Sequence, residues 1–190
     1  MKATLITVGT LFAILIVFIM VTIGVNNTII DRDETTIQAW ANVETVLQRR
    51  YDLIPNLVNT VKGFASHEKE LLTEVTRLRS QWSSAKASGD TAQSVKTAGM
   101  LESALGRLMV VVEKYPDIKS NQNFLALQEE LSGTENRISV ERRRYNEAVA
   151  SYNKYIRQYP GSIIAGMKGY ERKTPFASAP EAASAPVVEF

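Results

Sequence analysis

Between Lys2 and Asp31 the chain carries 28 consecutive residues without a charge, and from Leu5 to Val25 that run is dominated by Leu, Ile, Val and Phe. A hydrocarbon layer about 30 Å thick needs roughly 20 helical residues, so this run predicts a membrane-spanning helix. A cleaved signal peptide also begins with a basic residue and an apolar stretch, but its apolar core spans only about 7 to 15 residues and ends at a small-x-small exit. Here the stretch runs on to Asn26 and Asn27 with no such exit, and the expectation is an uncleaved single-pass anchor. Gly9 and Ala13 supply one small-xxx-small step, a spacing that lets two such helices approach, and a lipid-facing glycine explains it equally well. Counting basic residues on either side leaves little contrast, since Lys2 faces the acidic flank Asp31-Arg32-Asp33-Glu34. The expected orientation puts the N-terminus in the cytoplasm and the soluble part outside it.

Beyond the anchor, apolar residues recur at helical spacing. Ile37, Trp40, Leu47, Tyr51, Ile54, Val58, Val61 and Ala65 trace one stripe, interrupted by Glu44. Pro55 lies inside it, and an interior proline removes a backbone hydrogen bond and clashes with the preceding turn, which predicts a kink near Asp52. Ser66 with Glu68 and Glu70 reads as a helix start, followed by the stripe Leu71, Val75, Leu78, Trp82 and Ala85. Gly89 and Asp90 end that helix and cap the next, with Gln93 placed to complete a capping box. Val95, Ala98, Leu101, Leu105, Leu108, Val112 and Tyr115 form a third stripe, which Pro116 and Asp117 terminate. A fourth runs from about Gln122 through Phe124, Leu127, Leu131, Ile138, Tyr145, Tyr152, Tyr155 and Tyr159 to Pro160-Gly161. Four amphipathic helices bury their stripes against one another most simply as an up-and-down bundle. The expected fold is therefore all-α: a transmembrane anchor and junction over 1–30, an antiparallel bundle of long helices over 31–173, and an Ala/Pro-rich flexible tail over 174–190.

Chemistry is sparse. With no cysteine and one histidine, thiolate catalysis, Cys-ligated zinc and most His-based metal sites are excluded. A dimetal carboxylate bundle needs two Glu-x-x-His pairs, which one histidine cannot supply, and His67-Glu68 matches the start of a zinc-protease H-E-x-x-H whose second histidine is missing, because position 71 is leucine. No G-x-S-x-G, Walker or G-x-G-x-x-G pattern occurs. The formal charge of +2 gives no argument for nucleic acid. The expectation is a non-enzymatic protein with no cofactor and no small-molecule substrate.

The strongest basic features are Arg49-Arg50 and Arg142-Arg143-Arg144. Consecutive helical residues turn by about 100°, so the triplet cannot share a face, and with Glu141 and Glu147 nearby it reads as a solvated, salt-bridged surface or as a dock for anionic lipid. Asn56, Asn59, Asn136, Asn146 and Asn153 sit beside the apolar stripes, where a buried amide has to find partners. The chain ends Val187-Val188-Glu189-Phe190, and alternate apolar side chains with a free carboxylate suit capture by strand addition. That makes Val188 and Phe190 candidate recognition residues, against the alternative that the tail packs on its own bundle or a neighbouring subunit.

Two stretches, QRRYDLIPNLVNTVKGFASHE (Gln48 to Glu68) and YPDIKSNQNFLALQEELSGTENRISVERRRYNEAVASYN (Tyr115 to Asn153), closely resemble the signature segments of the LemA family. The resemblance spans nearly all of the soluble part and implies a bacterial protein with one N-terminal membrane helix, a bundle of long helices and no established enzymatic activity. It carries Arg49, Arg50, Tyr51, Asp52, Pro55, Asn56, Asn136, Arg137, Arg143, Tyr145 and Asn146 onto family motif positions, which makes them the candidate interaction residues. The expected role is a membrane-anchored interaction or scaffold protein that assembles with itself as a homo-oligomer or with envelope membrane proteins, its other partner being the lipid bilayer. The alternative is a peripheral anionic-lipid-binding module that uses the arginine-rich surfaces.

Overall fold

The computed structural model describes residues 2–65 and 67–176, with side chains from Ile6 onward. Its elements are all helical: α1 (Lys2–Asp52), α2 (Ile54–Phe64), α3 (Lys69–Ala87), α4 (Thr91–Val112), α5 (Pro116–Lys119), α6 (Gln122–Tyr155) and α7 (Gly161–Lys168). The chain divides into two compact units. One holds Met1–Ala39 and Glu147–Lys173; the other holds Trp40–Asn146 and the described residues from Thr174 on.

In the larger unit the pairing of helices follows from side-chain contacts. Arg50 on α1 meets Glu135 on α6, and Trp40 meets Tyr145, so the two helices run antiparallel. Tyr51 packs on Trp82 while Gln48 accepts a hydrogen bond from Lys86, which makes α3 antiparallel to α1. A turn at Gly89, whose φ of +72° lies in the left-handed region that glycine enters freely, returns the chain along α4, and Arg107 of α4 reaches Glu74 of α3. The result is the expected up-and-down arrangement. Its core is made of Leu47, Tyr51, Leu78, Trp82, Leu101, Leu108 and Ile138, with Leu57 and Val61 of α2.

Pro55 acts where expected. α1 ends at Asp52 and α2 resumes at Ile54 with the proline in its first turn, a break of one residue rather than a reversal. Because Pro55 has no N–H, the carbonyl of Tyr51 four residues earlier has no helical donor, and Nε of Arg79 in α3 donates to it instead at 2.9 Å. The Asp90 side chain caps α4 by accepting from the Gln93 N–H at 2.9 Å. The reciprocal half of the expected capping box does not form, because the Gln93 amide lies along the helix toward Thr97. The expected cap at Ser66 lies outside the described residues, and Glu68 occupies the N-cap position of α3 without a side-chain capping bond.

Several stripe assignments shift. Leu57 and Leu72 are buried where Val58 and Leu71 were expected, and Ile37 is exposed, its place taken by Thr36 and Val43. The fourth helix stops at Tyr155, leaving Tyr159 82% exposed. The sequence reading has no counterpart of α7, which folds back in the smaller unit. There Ile164 and Ala165 pack with Val25, Ile29, Tyr152 and Ile156. A Cβ at Gly161 would stand 2.4 Å from the Tyr155 carbonyl oxygen, so the tight return requires glycine.

Within that unit Arg32 of α1 donates to the Ser151 hydroxyl of α6 and stacks over the Tyr155 ring. The Asn153 side chain clasps the backbone of Lys173, accepting its N–H at 2.9 Å and donating to its carbonyl at 2.8 Å, while the Lys173 ammonium pairs with Asp33 at 2.7 Å. The chain continues past Lys173, the limit expected for the bundle, in extended form at least to the buried Phe176.

Candidate functional site

The family-like positions come together in the larger unit around two features. The first is a charged layer beside Tyr51. This tyrosine ends α1 with its ring edge-on to Trp82, centroids 4.8 Å apart, and both rings are buried. Arg50 Nη1 donates to Glu135 at 2.6 Å, and Arg142 Nη1 donates to Glu102 of α4. The arginines are the more buried partners, with side-chain exposures of 12% and 18% against 45% and 36% for Glu135 and Glu102. Each glutamate thus lets an arginine enter the bundle while keeping one face toward water, which limits the desolvation that a fully buried pair suffers. Burial raises the pKa of the Tyr51 phenol; Arg142 and Arg50 pull it back in part and Glu102 and Glu135 push it up again. It therefore stays neutral, a packing group rather than a proton donor.

The second feature is an aromatic clasp. Trp40 of α1, Tyr145 of α6 and Phe176 of the extended segment form a three-ring cluster with centroids 5.5 to 6.0 Å apart. The Arg142 guanidinium lies 4.8 Å over the Phe176 ring. Asn146 fixes the segment, its Oδ1 accepting from the Phe176 N–H at 2.8 Å and its Nδ2 donating to the Phe176 carbonyl at 3.1 Å. Tyr145 adds its hydroxyl to the Thr174 carbonyl at 3.0 Å, and burial pushes its pKa up to about 12. An amide that satisfies both polar groups of one residue copies a strand neighbour, which explains how an isolated extended segment is held without a sheet.

The expected interaction residues therefore divide. Arg50, Tyr51, Tyr145 and Asn146 serve the fold. Arg49, Asp52, Pro55, Asn56, Asn136, Arg137 and Arg143 are exposed; among them Asp52 accepts from Gln48 at 2.7 Å, while the side chains of Arg49, Asn56, Asn136, Arg137 and Arg143 make no hydrogen bond or ion pair among the described residues. The reading of Arg142-Arg143-Arg144 as one solvated surface is corrected at Arg142, which turns inward, and Arg144 pairs with Glu141 at 2.6 Å. Val188 and Phe190 lie outside the described residues. Sequence reasoning missed Arg142, Glu102, Arg79 and Phe176 as members of this core. Among the described residues no group of three His, Asp or Glu side chains is arranged to hold a metal, and His67 sits exposed in the turn before α3.

The sequence model described as "LemA family" matches residues 39–190. Magnetosome protein MamQ 2 of Paramagnetospirillum magneticum is 29% identical over 185 residues, covering 85% of this chain and 68% of its own length. Magnetosome protein MamQ of Magnetospirillum gryphiswaldense is 26% identical over 171 residues, covering 78% and 62%. Protein LemA of Metamycoplasma hominis is 28% identical over 150 residues, covering 78% and 67%. The chain thus spans about two thirds of the length of these relatives.

Proposed function

Since the chain belongs to the LemA family, we propose that it is a membrane-anchored, non-enzymatic interaction protein of the bacterial envelope, which works by assembling with itself or with envelope proteins. The apolar part of α1 is long enough to cross a bilayer, and its side chains from Ile6 to Ile23 are exposed in the isolated chain. Exposed side chains of that kind demand lipid. A single crossing then puts the soluble part on the far side of the inner membrane from the N-terminus.

The observation that carries the interaction reading is the division of the motif. Arg49, Asn56, Asn136, Arg137 and Arg143 make no side-chain hydrogen bond or ion pair among the described residues, and Arg49 stands at the level of Asn136 because the neighbouring Arg50 and Glu135 are paired. Polar residues that resemble a family signature and have no structural task are available to a partner. Arg50 and Arg142, the arginines that enter the core, are tied up in structural pairs. Cross-linking of the full-length protein in intact membranes, followed by mass spectrometry, tests this. A ladder of itself or a discrete heterologous partner, weakened by Arg49→Ala with Asn136→Ala, is the expected result. A strictly monomeric product at native abundance overturns it.

A further inference from the structure

The run Leu5 to Val25 has 21 residues, which as a helix rising 1.5 Å per residue spans the hydrocarbon layer once. Val25 and the next turn, at Ile29, therefore lie at the lipid headgroups. Yet these two residues are buried by protein, because α7 presses Ile164 and Ala165 against them together with Tyr152 and Ile156. The hairpin that carries α7 is thus held against α1 at the point where α1 leaves the bilayer.

Its other face is exposed and apolar among the described residues. Tyr159, Ile163 and Met167, four residues apart, are 82%, 52% and 79% exposed. Four-residue spacing puts Ile163 and Met167 in one row along α7, and Tyr159 is exposed in the turn that leads into it. Around that row Lys154, Arg157, Lys168 and Arg172 are exposed with one acid, Glu171, for company, and none of the four bases forms an ion pair among the described residues. Apolar anchors, an interfacial tyrosine and a ring of bases are what a segment lying in the headgroup layer of an anionic membrane requires.

We infer that the Arg157–Lys168 hairpin is a second membrane contact, with Tyr159, Ile163 and Met167 sunk into the boundary between headgroups and acyl chains of the leaflet from which α1 emerges. The inference rests on the reading of α1 as a membrane anchor. The bilayer is the occupant because α7 packs on α1 at Val25 and Ile29, where α1 leaves the lipid, and its exposed bases complement anionic headgroups. By pinning α1 through Val25 and Ile29, the hairpin also fixes the rotation of the anchor about its own axis.

The absence of native cysteine makes the test direct. Single variants Ile163→Cys, Met167→Cys, Val17→Cys and Ser84→Cys of the full chain, each at an exposed position, are spin-labelled and reconstituted into vesicles of phosphatidylethanolamine and phosphatidylglycerol, with circular dichroism confirming helix content. Collision with oxygen is compared with collision with a water-soluble nickel chelate. The expected oxygen-to-nickel ratio at 163 and 167 exceeds that at 84 several-fold and approaches that at 17. Nickel-accessible labels at 163 and 167 beside a lipid-embedded label at 17 overturn the hairpin contact and leave the anchor standing. Labels at 163 and 167 shielded from both reagents overturn it in favour of a protein partner on that face. A nickel-accessible label at 17 refutes the anchor reading and the inference with it.

Discussion

The Asn146 clasp yields a sharp energetic prediction. Asn146→Ala removes two hydrogen bonds of 2.8 and 3.1 Å to the backbone of Phe176, each contributing about 0.5 to 1.5 kcal/mol net, so the variant loses about 1 to 3 kcal/mol. Phe176→Ala removes a buried ring in contact with Trp40, Tyr145 and Arg142, a loss of about 3 kcal/mol, at the lower end for large aromatic deletions because the segment can leave and let water in. Both residues serve one event, the docking of the extended segment. Once either change releases it, the other has little left to remove, and the double variant is destabilised by about as much as Phe176→Ala alone. The coupling energy is then about 1 to 3 kcal/mol, well above the roughly 0.5 kcal/mol within which independent sites add. Urea unfolding of the full-length chain in detergent, followed by near-ultraviolet circular dichroism, measures all four corners of the cycle. Asn146→Asp sharpens the test, since it keeps the acceptor for the Phe176 N–H but sets a carboxylate oxygen against the Phe176 carbonyl; it is expected to be at least as harmful as alanine. Additive losses would refute the clasp as the feature that holds the segment.

Two further outcomes follow from the same core. Arg79→Met leaves the Tyr51 carbonyl without a donor and is expected to lose about 1 to 2 kcal/mol; adding Pro55→Ala restores a backbone N–H four residues on and recovers part of that loss, and an Arg79→Met penalty unchanged by Pro55→Ala in the same urea assay would show that the guanidinium does not replace the proline's missing hydrogen bond. Folding raises the pKa of the Tyr51 and Tyr145 phenols, the latter to about 12, so their contribution is complete below pH 10, where the unfolded phenols ionise, and is lost as pH rises from 10 towards 12. Stability measured across that window falls less steeply in Tyr145→Phe than in the parent, and equal slopes would contradict the burial of that hydroxyl.

The long helices of the bundle, the break near Asp52 and the cap at Asp90 are legible because each depends on local chemistry: spacing, a missing N–H, a short acceptor side chain. The errors of one position, Leu71 for Leu72 and Val58 for Leu57, arise where two apolar neighbours compete and only the facing helix decides between them. Helix α7 escapes because its eight residues, from the glycine of a Pro-Gly pair to the residue before Gly169, are too few to display a period. Phe176 escapes because composition turns to Ala, Ser and Pro just where two asparagines earlier in the chain take over the role of a strand partner.

The charged layer was hidden for a different reason, and the spacing that would have found it is simple. Arg50 lies three residues after Leu47 and four before Ile54; Glu102 lies four after Ala98 and three before Leu105. Glu135 lies four after Leu131 and three before Ile138, and Arg142 lies four after Ile138 and three before Tyr145. Each of the four occupies a position that continues an apolar stripe, where its charge invites the assignment of a solvent-facing residue. A charge held at a stripe position turns toward the core and must be neutralised there, and two arginines with two glutamates balance. Arg143, one residue off the stripe, has no such obligation and is exposed, which is why the member of the arginine triplet nearest the core differs from the one proposed to meet a partner.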